Sequence, residues 1–126
     1  MRYLLDTTVL IDHAQDRAGV PDLLRRLFDE TDDLLVCDVV VTEALSKGHD
    51  EEMLVIGALI RSLEYVSTHP DAARWGGESR RQRRATGPRS LADAIIAGVA
   101  ATMDAIVVTR NPRDFEAQGV RVLGYG

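Results

Sequence analysis

A chain of 126 residues, 45% of them hydrophobic, is long enough for one packed domain. Its net charge of −5 argues against a nonspecific polybasic coat for nucleic acid. No run approaches the ~20 apolar residues of a membrane span. Cys37 is the only cysteine, so no intrachain disulfide can form, which fits a reducing cytosol. The chain starts directly in a strand, so no signal peptide is expected, and a cytoplasmic location is.

Tyr3, Leu4 and Leu5 form a short apolar run, followed by polar Asp6-Thr7-Thr8 and apolar Val9, Leu10 and Ile11. This pattern predicts strand, turn, helix, with Asp6 at the carboxyl end of the first strand. The helix runs from Thr8 to Gln15, and Gly19 and Pro21 close it off. Pro21 suits the first turn of a second helix carrying Leu23, Leu24, Leu27 and Phe28. Asp29 to Asp33 reads as a solvated acidic loop and Leu34 to Cys37 as a buried strand. Asp38 can cap a helix from Val39 to Lys47, which Gly48 ends. The next helix spans Asp50 to Ser62, with Met53, Ile56, Gly57 and Ile60 on one face, widened by Leu54, Leu59 and Leu63. A helix this apolar is core or a partner surface. A short strand covers Tyr65 to Ser67, and Pro70 starts a helix that turns polar after Trp75 and basic at Arg80. Ser90 with Asp93 resembles a capping box opening a helix with the apolar stripe Ile95, Ile96, Val99 and Met103. Ala94, Ala97, Ala100 and Ala101 leave room for close neighbours. Ala105 to Val108 form a buried strand, Thr109 to Asp114 a loop, and Val120 to Leu123 a last strand. Strands alternating with helices predict an α/β domain, 1–126, with a parallel sheet of about five strands covered on both faces.

Four carboxylates stand out, each with a plain alternative. Asp6 could cap the first helix. Glu43 could pair with Lys47 one turn on, but lies near the margin of a buried face. Asp93 could complement a helix dipole. Asp114 could organise a turn. Jointly they are harder to dismiss. Asp6 and the Thr109–Asp114 loop leave parallel strands at one sheet edge, where such folds bind ligands. Acids brought together repel one another unless a cation binds, and an all-oxygen site suits Mg²⁺ or Mn²⁺. Between Arg80 and Arg89 fall five arginines, Arg80, Arg81, Arg83, Arg84 and Arg89. With Arg74 and Trp75 they are candidate RNA contacts, arginine neutralising phosphate and the indole stacking a base. The alternative is a solvated helix face with Trp75 at the core's edge.

The segments Leu4-Leu5-Asp6-Thr7-Thr8-Val9-Leu10-Ile11, Val41-Thr42-Glu43-Ala44-Leu45, Leu91-Ala92-Asp93-Ala94-Ile95-Ile96-Ala97 and Val108-Thr109-Arg110-Asn111-Pro112-Arg113-Asp114-Phe115 resemble the PIN-domain ribonucleases. The likeness is nearest to the VapC toxins of bacterial type II toxin–antitoxin pairs, and spans nearly the whole chain. It implies a metal-dependent endoribonuclease that cuts tRNA or rRNA to stop translation and growth, leaving 5′-phosphate and 3′-hydroxyl ends. It implies that Asp6, Glu43 and Asp93 hold Mg²⁺ or Mn²⁺, with Asp114 as the fourth acid. Thr8 and Thr109 become polar supports, and Asn111 braces the last loop. It also implies a homodimer and a VapB-like antitoxin. Thr8 stands where Ser or Asn is commoner, and the Trp75–Arg89 segment is unusually basic. Two rivals remain. A noncatalytic RNA-binding or interaction module of PIN descent would not need all four acids. A phosphotransfer receiver would need a lysine after the last buried strand, and the only lysine is Lys47.

Overall fold

The computed structural model describes residues 1–31, 33–82 and 89–126. Strand β1 (Arg2–Leu5) leads into α1 (Thr7–Ala14) and α2 (Val20–Glu30), followed by β2 (Asp33–Cys37), α3 (Asp38–Ala44) and α4 (Asp50–Arg61). Then come β3 (Glu64–Val66), α5 (Pro70–Gln82), α6 (Leu91–Met103), β4 (Ile106–Thr109), α7 (Pro112–Glu116) and β5 (Val122–Gly124). The strands form one sheet in the order β3-β2-β1-β4-β5, every pairing parallel. Parallel neighbours need crossover helices, and right-handed crossovers carry α1 to α4 over one face and α5 to α7 over the other. Accordingly α1 touches α2, α3 and α4, while α6 packs on α5 and α7.

The sheet is apolar on both faces because it is covered on both. Leu4 and Leu5 of β1, Leu35 and Val36 of β2, and Val107 and Val108 of β4 are fully buried. Strand order reverses between β1 and β4, and the crevice beyond their carboxyl ends is the point where open α/β sheets bind ligands.

Several boundaries differ from the sequence expectation for local reasons. Helix α3 stops at Ala44, not Lys47: the Ser46 hydroxyl donates to the Glu43 carbonyl at 2.8 Å, satisfying an end group that another helical turn would have used. Asp38 is the first residue of α3 and not its cap. Its carboxylate accepts from the Val39 N–H and from both the N–H and hydroxyl of Thr68, tying α3 to the exit of β3. The expected acidic loop is shorter, since α2 runs to Glu30 and β2 begins at Asp33; Asp32 lies outside the described residues. Phe28 is exposed, unlike Leu23, Leu24 and Leu27 of the same helix. On α4 the inward face is Ile56 and Leu59, while Leu54, expected to widen it, is 74% exposed. The loop after β4 folds into the short helix α7, and β5 lies two residues later than expected at its start.

Close packing of α6 on α5 depends on two glycines. A Cβ on Gly98 would collide with the Ala72 carbonyl oxygen, and one on Gly76 would sit 2.9 Å from that of Ala94. Glycine, more than the alanines of α6, is what lets these two helices meet.

Candidate active site

Asp6 follows β1, and its N–H donates to the Val108 carbonyl at 3.0 Å, so it is fixed against β4. It occupies the position before α1, yet its side chain makes no cap hydrogen bond. The carboxylate is instead buried and accepts from the hydroxyls of Thr109 at 2.7 Å and Thr8 at 3.2 Å, both on Oδ2. Burial pushes its pKa above the usual carboxylate value; the Thr109, Thr7 and Thr8 donors pull the other way, and the charge of Glu43 adds to the rise.

Each supporting hydroxyl is used twice. Thr109 Oγ1 donates to Asp6 and accepts from the Asn111 N–H at 3.0 Å. Thr8 Oγ1 donates to Asp6 and accepts from the Arg110 N–H at 3.2 Å. Thr109 closes β4 and is fully buried, so it belongs to the strand and not to the loop. Asn111 precedes α7 without a side-chain cap bond; its main chain engages Thr109 and Asp114.

Glu43 is exposed, not at a buried margin, and its carboxylate accepts from Thr7 Oγ1 at 2.7 Å. With α3 ending at Ala44, Lys47 is not one helical turn away on the same face. Asp93 lies half-buried in the first turn of α6, where Ser90 Oγ accepts from its main-chain N–H at 3.2 Å. The cap therefore uses the backbone of Asp93, leaving its carboxylate uncommitted to capping. Burial first, then the charges of Asp6, Asp114 and Glu43, push the Asp93 pKa up to about 6. Asp114 is exposed in the first turn of α7. Acids from the ends of β1, α3, α6 and α7 thus feel one another at one sheet edge. Among the described residues no three His, Cys, Asp or Glu side chains are gathered tightly enough to hold an ion as they stand.

A further acid went unnoticed in the sequence. Asp12 of α1 is fully buried; Arg110 reaches it at 3.0 Å and the Tyr125 hydroxyl donates to it at 2.8 Å. Arg110 directly follows Thr109, so this ion pair anchors the turn that carries the Asp6 supports. The available signal was Asp12 three residues after Val9, on the buried stripe of α1. Burial and the Asp12 carboxylate hold the Tyr125 hydroxyl above its usual pKa.

The basic segment is only partly described. Trp75 is half-buried against the core, which favours the structural reading of it. Arg74 pairs with Asp71 on the surface. Arg80 donates to the Arg89 carbonyl at 3.1 Å, and Arg89 donates to the Ser79 carbonyl and hydroxyl. Arg81 is exposed; Arg83 and Arg84 lie outside the described residues. A groove of about 730 Å³ between α2 and β5, lined by Tyr3, Leu23, Leu27 and Leu123 among others, contains none of the four acids.

Comparison with known proteins agrees with this architecture. The chain is 28% identical to ribonuclease VapC19 of Mycobacterium tuberculosis over 113 residues, 89% of this chain and 90% of that protein. It superposes with a TM-score of 0.82 on a chain of the DNA-bound VapBC complex of Salmonella typhimurium, at 26% identity and 98% coverage of both. A chain of VapBC2 from Rickettsia felis, solved with a promoter DNA fragment, gives 0.85 at 18% identity and full coverage of both, a likeness of fold. The PIN domain model matches residues 3–119, nearly the whole chain, and the chain belongs to the PIN-domain family.

Proposed function

We propose that the protein is a metal-dependent endoribonuclease, the toxin of a type II toxin–antitoxin pair. One observation carries the catalytic half of this reading: the burial of half-buried Asp93 and, added to it, the nearby charges of Asp6, Asp114 and Glu43, each from a separate element, together push its pKa up to about 6. A fold that places like charges together at its ligand-binding edge accepts an electrostatic penalty that a bound cation relieves. The donors are all oxygen and the histidines stand apart, which suits Mg²⁺ or Mn²⁺ over Zn²⁺. Asp6 and Asp93 would hold the ion, with Glu43 as a further ligand or as the group that orients water; Asp114 would act at the margin. When bound, the cation polarises the phosphodiester and makes water a better nucleophile. Asp6 is pinned by two threonine hydroxyls and brings its charge to a fixed point. Glu43 and Asp114, both exposed, can turn toward the substrate.

The toxin half rests on the relatives, a ribonuclease and toxin–antitoxin complexes. RNA, either tRNA or rRNA, is then the substrate, a VapB-like protein the partner, and a homodimer the expected assembly. Leu54 and Val55 of α4 offer an apolar surface beside His13 for such a partner. The alternative is a noncatalytic RNA-binding or interaction module of PIN descent; the presence of all four acids speaks against it.

Cleavage of RNA with and without chelator decides between them. Cleavage should require Mg²⁺ or Mn²⁺. Asp6→Asn, Glu43→Gln and Asp93→Asn should each abolish it, and Asp114→Asn should weaken it. A folded wild type that never cuts RNA with either metal would leave the binding module.

A further inference from the structure

We propose that Gln118 is a positioning residue that sets the spacing of Asp93 and Asp114; this rests on the metal-dependent reading above. Gln118 lies just beyond α7 and is half-buried. Its Nε2 donates to the Asp114 carbonyl at 2.9 Å and to the Asp93 carbonyl at 3.4 Å. Its Oε1 accepts from the Ser79 hydroxyl at 2.7 Å, and Ser79 is buried in α5. A single planar amide therefore joins α5, α6 and α7, and two of its three bonds end on the main chain of site acids.

The orientation of this amide is fixed by its surroundings. Both N–H groups face carbonyl oxygens, and the oxygen faces a hydroxyl. Turning the amide over would set oxygen against two carbonyls. Ser79 can donate to Gln118 because its own oxygen accepts from Arg89. The bonds are thus consumed within a frame and are not offered to a ligand.

The frame matters most for α7. A helix of five residues has too few internal bonds to hold its own direction. Phe115, fully buried, pins it at one point. Gln118 supplies a second point and refers it to α6, where Asp93 sits. The Asn111 main chain ties the start of α7 to Thr109, but Gln118 is the side chain that bonds to the main chain of both Asp114 and Asp93. A cavity of about 160 Å³ lined by Trp75, Ser79, Arg89, Ala117 and Gln118 adjoins the amide just beyond the end of α7.

The test uses Mn²⁺ alone as probe, by calorimetry on metal-free protein, beside steady-state RNA cleavage. Partners one shell out from metal ligands typically change affinity or activity 10–100-fold, so Gln118→Leu should lose about tenfold in Mn²⁺ affinity and in kcat, with KM for RNA little changed. Gln118→Glu keeps the acceptor for Ser79 but turns oxygen toward both carbonyls, and should do no better. Ser79→Ala leaves both N–H bonds while freeing the Gln118 oxygen and removing the hydroxyl that accepts from Arg89, so a loss of about threefold is expected. Should Gln118→Leu fail to fold, Ser79→Ala and Gln118→Glu decide. Wild-type Mn²⁺ affinity and kcat in the folded variants, with only a lower melting temperature, would make Gln118 an ordinary structural bond and overturn the proposal. A wild type that takes up no Mn²⁺ would instead overturn the metal reading, and the proposal with it.

Discussion

Asp93 makes the cost of the acid cluster measurable. In the folded chain it keeps its proton up to about pH 6, whereas an aspartate in the unfolded chain releases it near 3.8. Between those values the folded state binds more protons than the unfolded one. Its stability therefore falls as pH rises through that window, and the full penalty stands at neutral pH. The metal-free wild type should melt higher as pH drops from about 7 to about 5, measured against Asp93→Asn at each pH. Saturating Mg²⁺ at neutral pH should stabilise the wild type and the variant far less. Two melting curves that run parallel across the range would show that Asp93 bears no such strain. Asp12 is the opposite kind of acid, fully buried but paired. Arg110→Ala would leave its charge with only the Tyr125 hydroxyl. Because Arg110 is 41% exposed, a loss of about 1.5–3 kcal/mol in urea unfolding is expected, not the larger penalty of a wholly buried pair. The place of Asp6 was legible because it directly follows the apolar run Tyr3–Leu5, and that of Asp93 because Ser90 caps its helix; Glu43 was not, since it is exposed where a buried margin was expected. Asp12 was legible only as a position on the buried stripe of α1; its partners Arg110 and Tyr125 come from the far end of the chain, and nothing local to α1 reveals them.

At the scale of elements, the crossing of α5 and α6 decides where Asp93 stands. Gly98→Ala would press a methyl group into the Ala72 carbonyl and force the helices apart. Overpacking of this kind costs about 1–3 kcal/mol, seen as a lower melting temperature, and the outward shift of α6 should reduce cleavage as well. An unchanged melting temperature would mean that the crossing is looser than it looks. The strands were legible because buried parallel strands are short apolar runs, and the start of α6 because Ser90 is a recognisable cap. The crossing was not, since a glycine in an apolar helix carries no sign of what it faces. Nor was the end of α3, where a single serine hydroxyl outcompetes another helical turn.

For the whole molecule, a net charge of −5 sets the terms on which RNA could approach. Acids at the sheet edge repel phosphate, so binding needs a local basic surface to offset them. Arg81 is exposed on α5, whereas Arg74 pairs with Asp71 and Arg80 donates to Arg89. Arg81→Gln should weaken RNA binding and make the slope of log affinity against log salt shallower by about one unit, without moving Mn²⁺ affinity. An unaltered slope would assign this surface to solvent or to another protein.

The bond between Asp6 and Thr109 spans 103 positions of sequence. During synthesis, β1 leaves the ribosome first and waits for β4, its neighbour in the finished sheet, until almost the whole domain has been made. Until then Asp6 lacks the hydroxyl and the strand that fix it, and Asp93 has no settled partner across the crevice. Contacts this distant in sequence form late. The order of emergence thus makes this edge of the sheet the last part of the domain to be completed, when the C-terminal strands dock.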